Sequence, residues 1–143
     1  KLGNFVNRTL KYKGIETIPE GNMDTTFKDK IEKMYTNISE QVEKLEFREA
    51  VLLIIGFLDE ANKYYDERKP WIQAKEDISG FNDTIYTCSN IIANISNFIE
   101  PFMPGTAMKI REYLHIDKAT WNYIEVTPNL KLENINPLFE RMK

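Results

Sequence analysis

Three runs of apolar residues at helical spacing constrain this chain more than anything else in it. In the first, Phe27, Ile31, Met34, Tyr35, Ile38, Val42 and Leu45 recur with a period near 3.6 residues. That spacing predicts a helix over 25–45, with Asp24, Thr25 and Thr26 offering side chains that cap a first turn. In the second, Phe47, Val51, Ile54, Ile55, Leu58 and Ala61 predict a helix over 47–68 and form its expected buried side. In the third, Ile85, Cys88, Ile92, Ile95 and Ile99 predict a helix over 79–100. A shorter stripe of Leu2, Phe5, Val6 and Leu10 predicts another over 1–12. Each such helix has one apolar side to hide, and short turns join neighbours. The expected architecture is therefore an all-α, up-and-down helix bundle.

Proline and glycine place the breaks. Gly14, Pro19 and Gly21 mark a loop after the first helix. Pro70 ends the 47–68 run, because proline has no N–H to donate and disfavours the helical conformation at Lys69. A short helical stretch over 71–76 is expected after it. Pro101 and Pro104 enclose a turn, and Pro104-Gly105-Thr106 opens a helix to about Leu114, since proline suits a first helical turn. Beyond it the periodicity fades, with Pro128, Pro137 and several asparagines interrupting. Residues 115–143 are expected to wrap the bundle as an irregular C-terminal tail, with Trp121 packed in the core or under the tail. No repeat or linker divides the chain, so residues 1–143 are expected to form one domain.

Composition narrows the function. Hydrophobic residues make up 42% of the 143, enough for one sizeable core. The longest apolar run, Ala50 to Leu58, is far short of the roughly 20 residues of a membrane span, so no membrane contact is expected. One cysteine, Cys88, and one histidine, His115, exclude an internal disulfide and the usual four-ligand zinc site. Cys88 lies on an apolar stripe and reads as a small buried hydrophobe. No glycine-rich phosphate loop or nucleophile–base motif is present, and the neighbouring acids Asp59-Glu60 and Asp66-Glu67 diverge on a helix and are expected to be solvated. No catalytic residue, metal ligand or cofactor is assigned. The net charge of −3 argues against a general polyanion binder. Basic residues cluster nonetheless: Lys1, Arg8, Lys11 and Lys13 near the start, and Lys63, Arg68, Lys69 and Lys75 around Pro70. A nucleic-acid contact would use such a local patch at one end of the bundle.

Two features give that patch a chemistry. Trp71 follows Pro70 at a helix junction, where a flat indole can be offered to a ligand, and bases of single-stranded nucleic acid stack on such rings. Asn4 and Arg8 are four residues apart and share a helix face. An amide that donates and accepts, beside a guanidinium that only donates, can read the edge of one unstacked base.

With these residues in place, the chain resembles a known family. Leu2-Gly3-Asn4-Phe5-Val6-Asn7-Arg8, then Ala61-Asn62, Tyr64, Asp66-Glu67 and Pro70-Trp71, look like the anticodon-binding domain of bacterial methionyl-tRNA synthetase. Ile99-Glu100-Pro101-Phe102-Met103-Pro104 and Ile135-Asn136-Pro137-Leu138-Phe139-Glu140-Arg141 extend the likeness over essentially the whole chain. The resemblance implies the helical bundle shared by class I synthetases. It implies that Trp71 stacks on the first anticodon base, the cytosine of CAU, that Asn4 bonds its edge, and that Arg8 binds the base or its backbone. Asn62, Tyr64 and Pro70 would support Trp71.

It further implies a parent enzyme, methionine-tRNA ligase, that uses ATP in a separate catalytic domain. The His-Ile-Gly-His-like and Lys-Met-Ser-Lys-Ser-like boxes of that domain are not in this sequence, and the chain opens on Lys1 rather than Met. The chain is thus expected to be a non-catalytic, tRNA-binding part of a longer cytoplasmic protein, with the catalytic domain as its neighbour. Two other readings stand beside this one. The bundle of a valine, leucine, isoleucine or cysteine synthetase is opposed by Asn4 and Arg8 occurring with Pro70-Trp71. A four-helix interaction module without RNA is favoured by the acidic net charge and opposed by the basic first thirteen residues.

Overall fold

The computed structural model describes residues 2–12 and 15–132. Among these are six helices: α1 (Leu2–Leu10), α2 (Thr25–Glu43), α3 (Phe47–Arg68), α4 (Pro70–Glu76), α5 (Ile78–Ile99) and α6 (Pro104–Tyr113). Their ends fall close to the expected ones. Asp24 caps α2 as its sequence suggests, its carboxylate accepting from the Phe27 N–H at 2.9 Å. Helix α2 stops before Leu45 because Leu45 has φ 61°, a left-handed conformation that a right-handed helix does not continue.

Helix α5 is the axis, with α1, α2, α3, α4 and α6 packed around it. The ring of Phe27 meets those of Phe57 and Tyr64, so α2 and α3 run antiparallel. Phe57 meets Phe98, and Arg68 reaches Thr84, so α3 and α5 are antiparallel too. The bundle is up-and-down as expected. One end, the tip, holds the end of α3, α4 and the start of α5. The other, the base, holds the α2–α3 and α5–α6 turns.

Two details differ from the sequence reading. On α3 the buried side chains are Ala50, Ile54, Phe57, Leu58, Ala61 and Tyr65, while Phe47, Val51 and Ile55 are exposed. The expected period holds but its phase is turned. Helix α3 carries apolar residues around much of its girth, and the packed face is the one that brings Phe57 and Tyr65 to aromatic partners. On α5 the whole circumference is buried, including Thr84, Thr87, Ser89, Asn90, Asn94, Ser96 and Asn97.

The buried asparagines hold the tail. Asn97 Oδ1 accepts from the Thr120 N–H at 3.1 Å and Asn90 Oδ1 from the Val126 N–H at 2.6 Å. Asn94 takes both sides of one residue: Oδ1 accepts from the Ile124 N–H at 3.0 Å and Nδ2 donates to the Ile124 carbonyl at 2.8 Å. The extended tail thereby runs antiparallel to α5, paired with side-chain amides in place of a neighbouring strand. Trp121 packs edge-on against Tyr35 and Phe98, and its indole N–H donates to Ser39 Oγ at 2.6 Å. Further on, the Ile18 N–H donates to the Leu130 carbonyl at 2.8 Å beside the isolated Thr17–Lys131 bridge. Residues 135–141, part of the family likeness, lie outside the described residues. Among the described residues no helix is long and apolar enough to cross a membrane.

Candidate functional site

The tip is built around one left-handed residue. Lys69 has φ 52° and ψ 63°, which ends α3 and redirects the chain into α4. Its N–H still donates to the Tyr65 carbonyl at 3.2 Å, and Pro70 takes the first position of α4, where its missing N–H has no helical partner to lose. Pro70 is buried by this turn, while Trp71 is left 44% exposed.

The corner is pinned from below. Arg68, though exposed, reaches across to α5, its Nε donating to Thr84 Oγ1 at 3.0 Å and its Nη2 to the Gly80 carbonyl at 3.4 Å. Asp77 caps α5 by accepting from the Gly80 N–H at 3.0 Å. A Cβ on Gly80 would lie 2.3 Å from Asp77 Oδ2, so a larger residue there would push the capping carboxylate aside. Three helices thus fix the backbone that carries Trp71.

Arg8 is placed by α3. Its guanidinium carbon lies 4.1 Å from the Tyr65 ring centroid, a cation–π geometry. Its Nη1 donates to Asn62 Oδ1 at 3.5 Å and its Nη2 to Asp66 Oδ1. The Asn62 amide is fixed in turn by donating to the Leu58 carbonyl at 3.1 Å. Tyr65 joins the two helices, its hydroxyl donating to the Arg8 carbonyl at 2.9 Å and its ring standing 6.3 Å from that of Trp71 at 43°. Tyr65, itself buried, thus touches both Arg8 and Trp71. Asn4 lies one turn before Arg8 with its side chain exposed.

Burial pushes the Tyr65 hydroxyl up to about 12, with the Arg8 charge opposing the shift. The phenol is therefore neutral at pH 7 and stays a donor to the Arg8 backbone.

The supporting residues divide in a way that sequence did not show. The ring facing Trp71 is that of Tyr65. Tyr64 packs on Phe27 at 5.0 Å, and burial raises its pKa to about 12 against a hydrogen bond with Thr87. Asn62 contacts Arg8, and Pro70 adjoins Trp71 along the chain. Asp66, expected to be solvated, pairs with Arg8 although its carboxylate remains half-exposed. The pair joins residues 58 positions apart, so no local spacing announces it. Tyr65 had a weaker signal: it falls on the true buried stripe of α3, four residues after Ala61.

Of the basic residues near Pro70, Arg68 is engaged internally and Lys63 pairs with Glu67 at 3.8 Å, while Lys69 and Lys75 are exposed. Lys1 and Lys13 lie outside the described residues. No group of three or more His, Cys, Asp or Glu positioned for a metal ion occurs among the described residues. Cys88 is fully buried, and burial pushes its thiol pKa upward, so it stays protonated.

Comparison with known proteins adds three findings. A family model described as the anticodon binding domain of methionyl tRNA ligase matches residues 16–136. Methionine–tRNA ligase 1 of Bacillus cereus is 41% identical over 145 residues, and methionine–tRNA ligase of Bacillus mycoides is 40% identical. Each match covers 98% of this chain and 26% of the relative, so the chain spans about a quarter of the length of these relatives. The fold is shared with Mycobacterium tuberculosis methionyl-tRNA synthetase. Its free form superposes with a TM-score of 0.84 at 21% identity, over 99% of this chain and 32% of that one. Its complex with methionyl-adenylate gives 0.80 at 23% identity, over 98% and 30%.

Proposed function

The chain belongs to the family of anticodon-binding domains of methionyl-tRNA ligase, and from that premise we propose that its tip grips the first base of a CAU anticodon. The observation that carries the reading is that one buried ring, Tyr65, contacts both Arg8 and the exposed Trp71 ring at the α3–α4 corner. Trp71 offers a rigid face for stacking, a contact worth about 1–3 kcal/mol per base. Arg8 has five N–H donors and spends two on Asn62 and Asp66, which leaves donors for a base edge or a phosphate without repositioning the group. Asn4, a turn away and exposed, supplies the amide that bonds the cytosine edge.

Recognition here depends on geometry more than on bulk charge. The chain is acidic overall, and Asp66 partly neutralises the one cation at the centre of the site. Non-specific attraction of phosphates is accordingly weak, and affinity rests on stacking and edge bonds. Tyr65 and Asn62 hold Arg8, Pro70 and the Lys69 turn hold Trp71, and Tyr64 holds α3 to α2. In this reading residues 1–143 are one domain of a longer cytoplasmic methionine-tRNA ligase. ATP and methionine are handled by that enzyme's catalytic domain. No cofactor belongs to this part, and its partners are the tRNA anticodon loop and the catalytic domain.

Binding of an anticodon stem-loop at low salt tests the proposal. CAU is expected to bind more tightly than UAU, and Trp71→Ala to lose about tenfold or more with an unchanged circular dichroism spectrum. Arg8→Ala is expected to lower both affinity and its salt dependence. Equal binding of the two loops, or a Trp71→Ala chain that unfolds, overturns the assignment.

A further inference from the structure

The direction of the Trp71 ring depends on the backbone that carries it. The ring is 44% exposed, and its aromatic neighbour Tyr65 stands 6.3 Å away. That backbone is not restful. Lys69, two residues earlier, has φ 52°, a left-handed conformation that a lysine keeps only where its surroundings impose it. Helix α4 has seven residues, fewer than the roughly 12 at which an isolated helix becomes even marginally stable. The corner is therefore fixed from outside α4.

One buried hydroxyl reaches both sides of it. Thr84, on α5, is fully buried, and its Oγ1 accepts from Arg68 Nε at the end of α3 at 3.0 Å. The same oxygen lies 2.8 Å from Gln73 Oε1 on α4 and 2.9 Å from the Gly80 carbonyl on its own helix. A hydroxyl has one proton for those two acceptors. A threonine inside a helix ordinarily gives it to the carbonyl four residues back. Here another helix brings a second acceptor, slightly nearer. The Gln73 amide lies close over Gly80, where a Cβ would come within 2.9 Å of its Nε2. Arg68 precedes Trp71 by three residues and Gln73 follows it by two, so their side chains bracket Lys69, Pro70 and the tryptophan. With both tied to one atom, α3 and α4 cannot swing about Lys69 without breaking a bond. We infer that Thr84, with Gln73, is a positioning residue for the tryptophan stack. Its hydroxyl holds the ring in the binding pose before any base arrives, which removes the ordering of that side chain from the cost of binding.

The inference rests on the anticodon reading for its ligand, but the pose of the ring is read without RNA, so the two fail separately. The chain is labelled with 5-fluorotryptophan, which gives one fluorine signal for Trp71 and one for Trp121, assigned with Trp71→Phe. Thr84→Val keeps the volume and removes the hydroxyl. It is expected to move the Trp71 signal towards that of the free fluorinated amino acid and to leave the Trp121 signal in place. Binding of the CAU stem-loop is expected to weaken about three- to tenfold, with an unchanged salt slope. Thr84→Ser, which keeps the hydroxyl, should restore both readouts. If Thr84→Val unfolds, both fluorine signals collapse. Gln73→Leu, on the partly buried side of α4, then cuts the same bond from the other end, with the same two changes expected. A Trp71 signal unmoved in a folded variant, a signal that moves while CAU binding holds, or a serine that fails to rescue overturns the positioning role. Equal binding of CAU and UAU by the unsubstituted chain overturns the anticodon reading, and this role with it, before any variant is compared.

Discussion

Helices α3 and α5 are each 22 residues long and antiparallel, yet they treat polarity in opposite ways. Helix α5 buries asparagines, threonines and serines around its whole girth, while α3 leaves phenylalanine, valine, leucine and isoleucine in solvent. Burial on α5 is tolerable because its polar groups are largely paired, with the tail and with Tyr35. Exposure on α3 is tolerable because an exposed apolar side chain forgoes stabilisation without leaving a hydrogen bond unmade. The difference separates what holds this bundle together from what it leaves at its surface.

The contrast breaks most visibly at Asn94. Replacing it with leucine strands the Ile124 N–H and carbonyl and removes the acceptor of the Tyr35 hydroxyl, which donates to Asn94 Oδ1 at 2.6 Å and keeps only the bond it accepts from Asn97. At about 1–3 kcal/mol for each buried unpaired group, several kcal/mol of stability should disappear in urea denaturation. Val51→Ser on the exposed stripe should change the same measurement by no more than about 0.5 kcal/mol. Comparable losses at the two positions would erase the distinction.

Alkali tests the buried phenols that tie the helices together. Burial raises the pKa of Tyr35, Tyr64 and Tyr65 from 10 to about 12, so the fold favours their protonated forms. Their contribution is intact below pH 10 and is lost as pH climbs from 10 through about 12. Denaturation midpoints should fall across that window, and Tyr64→Phe should flatten the fall. A midpoint independent of pH there would show the phenols to be freely solvated.

Smaller effects sharpen the α3 side. Gly56→Ala should stabilise the 143-residue chain by up to about 1 kcal/mol, since the added methyl meets open space. Asp66→Asn, at the exposed end of the Arg8 pair, should alter stability by less than about 1 kcal/mol. Thermal melts are sufficient for both; a large loss in either would mean that the residue is packed more tightly than its surroundings indicate.

Much of this was legible from residue order, because helix ends are local chemistry. Asp24, Pro70 and Pro104 mark boundaries by what their own side chains do to the adjacent backbone. The phase of α3 was not legible, since two apolar stripes were available and only partners distant in sequence, Phe27 and Phe98, chose between them. The asparagines of α5 carry no local sign of burial, because their partners come from a tail some thirty positions later. At the tip, Asn4, Arg8 and Trp71 stood out in sequence, and the arrangement around them did not. Asp66 and Tyr65 gain their places only when α1 is laid on α3.

The asparagine clasp carries a consequence for how this domain can diverge. The amides of Asn90, Asn94 and Asn97 grasp mainly the main chain of residues 120–126, which every residue shares; of the side chains there, the Thr120 hydroxyl accepts from Asn97 at 3.4 Å. Substitutions at the exposed tail positions Asn122 and Glu125 can therefore accumulate with little penalty, while Trp121, Val126 and the three gripping positions on α5 are held by packing and hydrogen bonds. Among distant cousins the alignment of this strap should be recoverable from α5 and the two packed anchors, even where the letters between them have drifted.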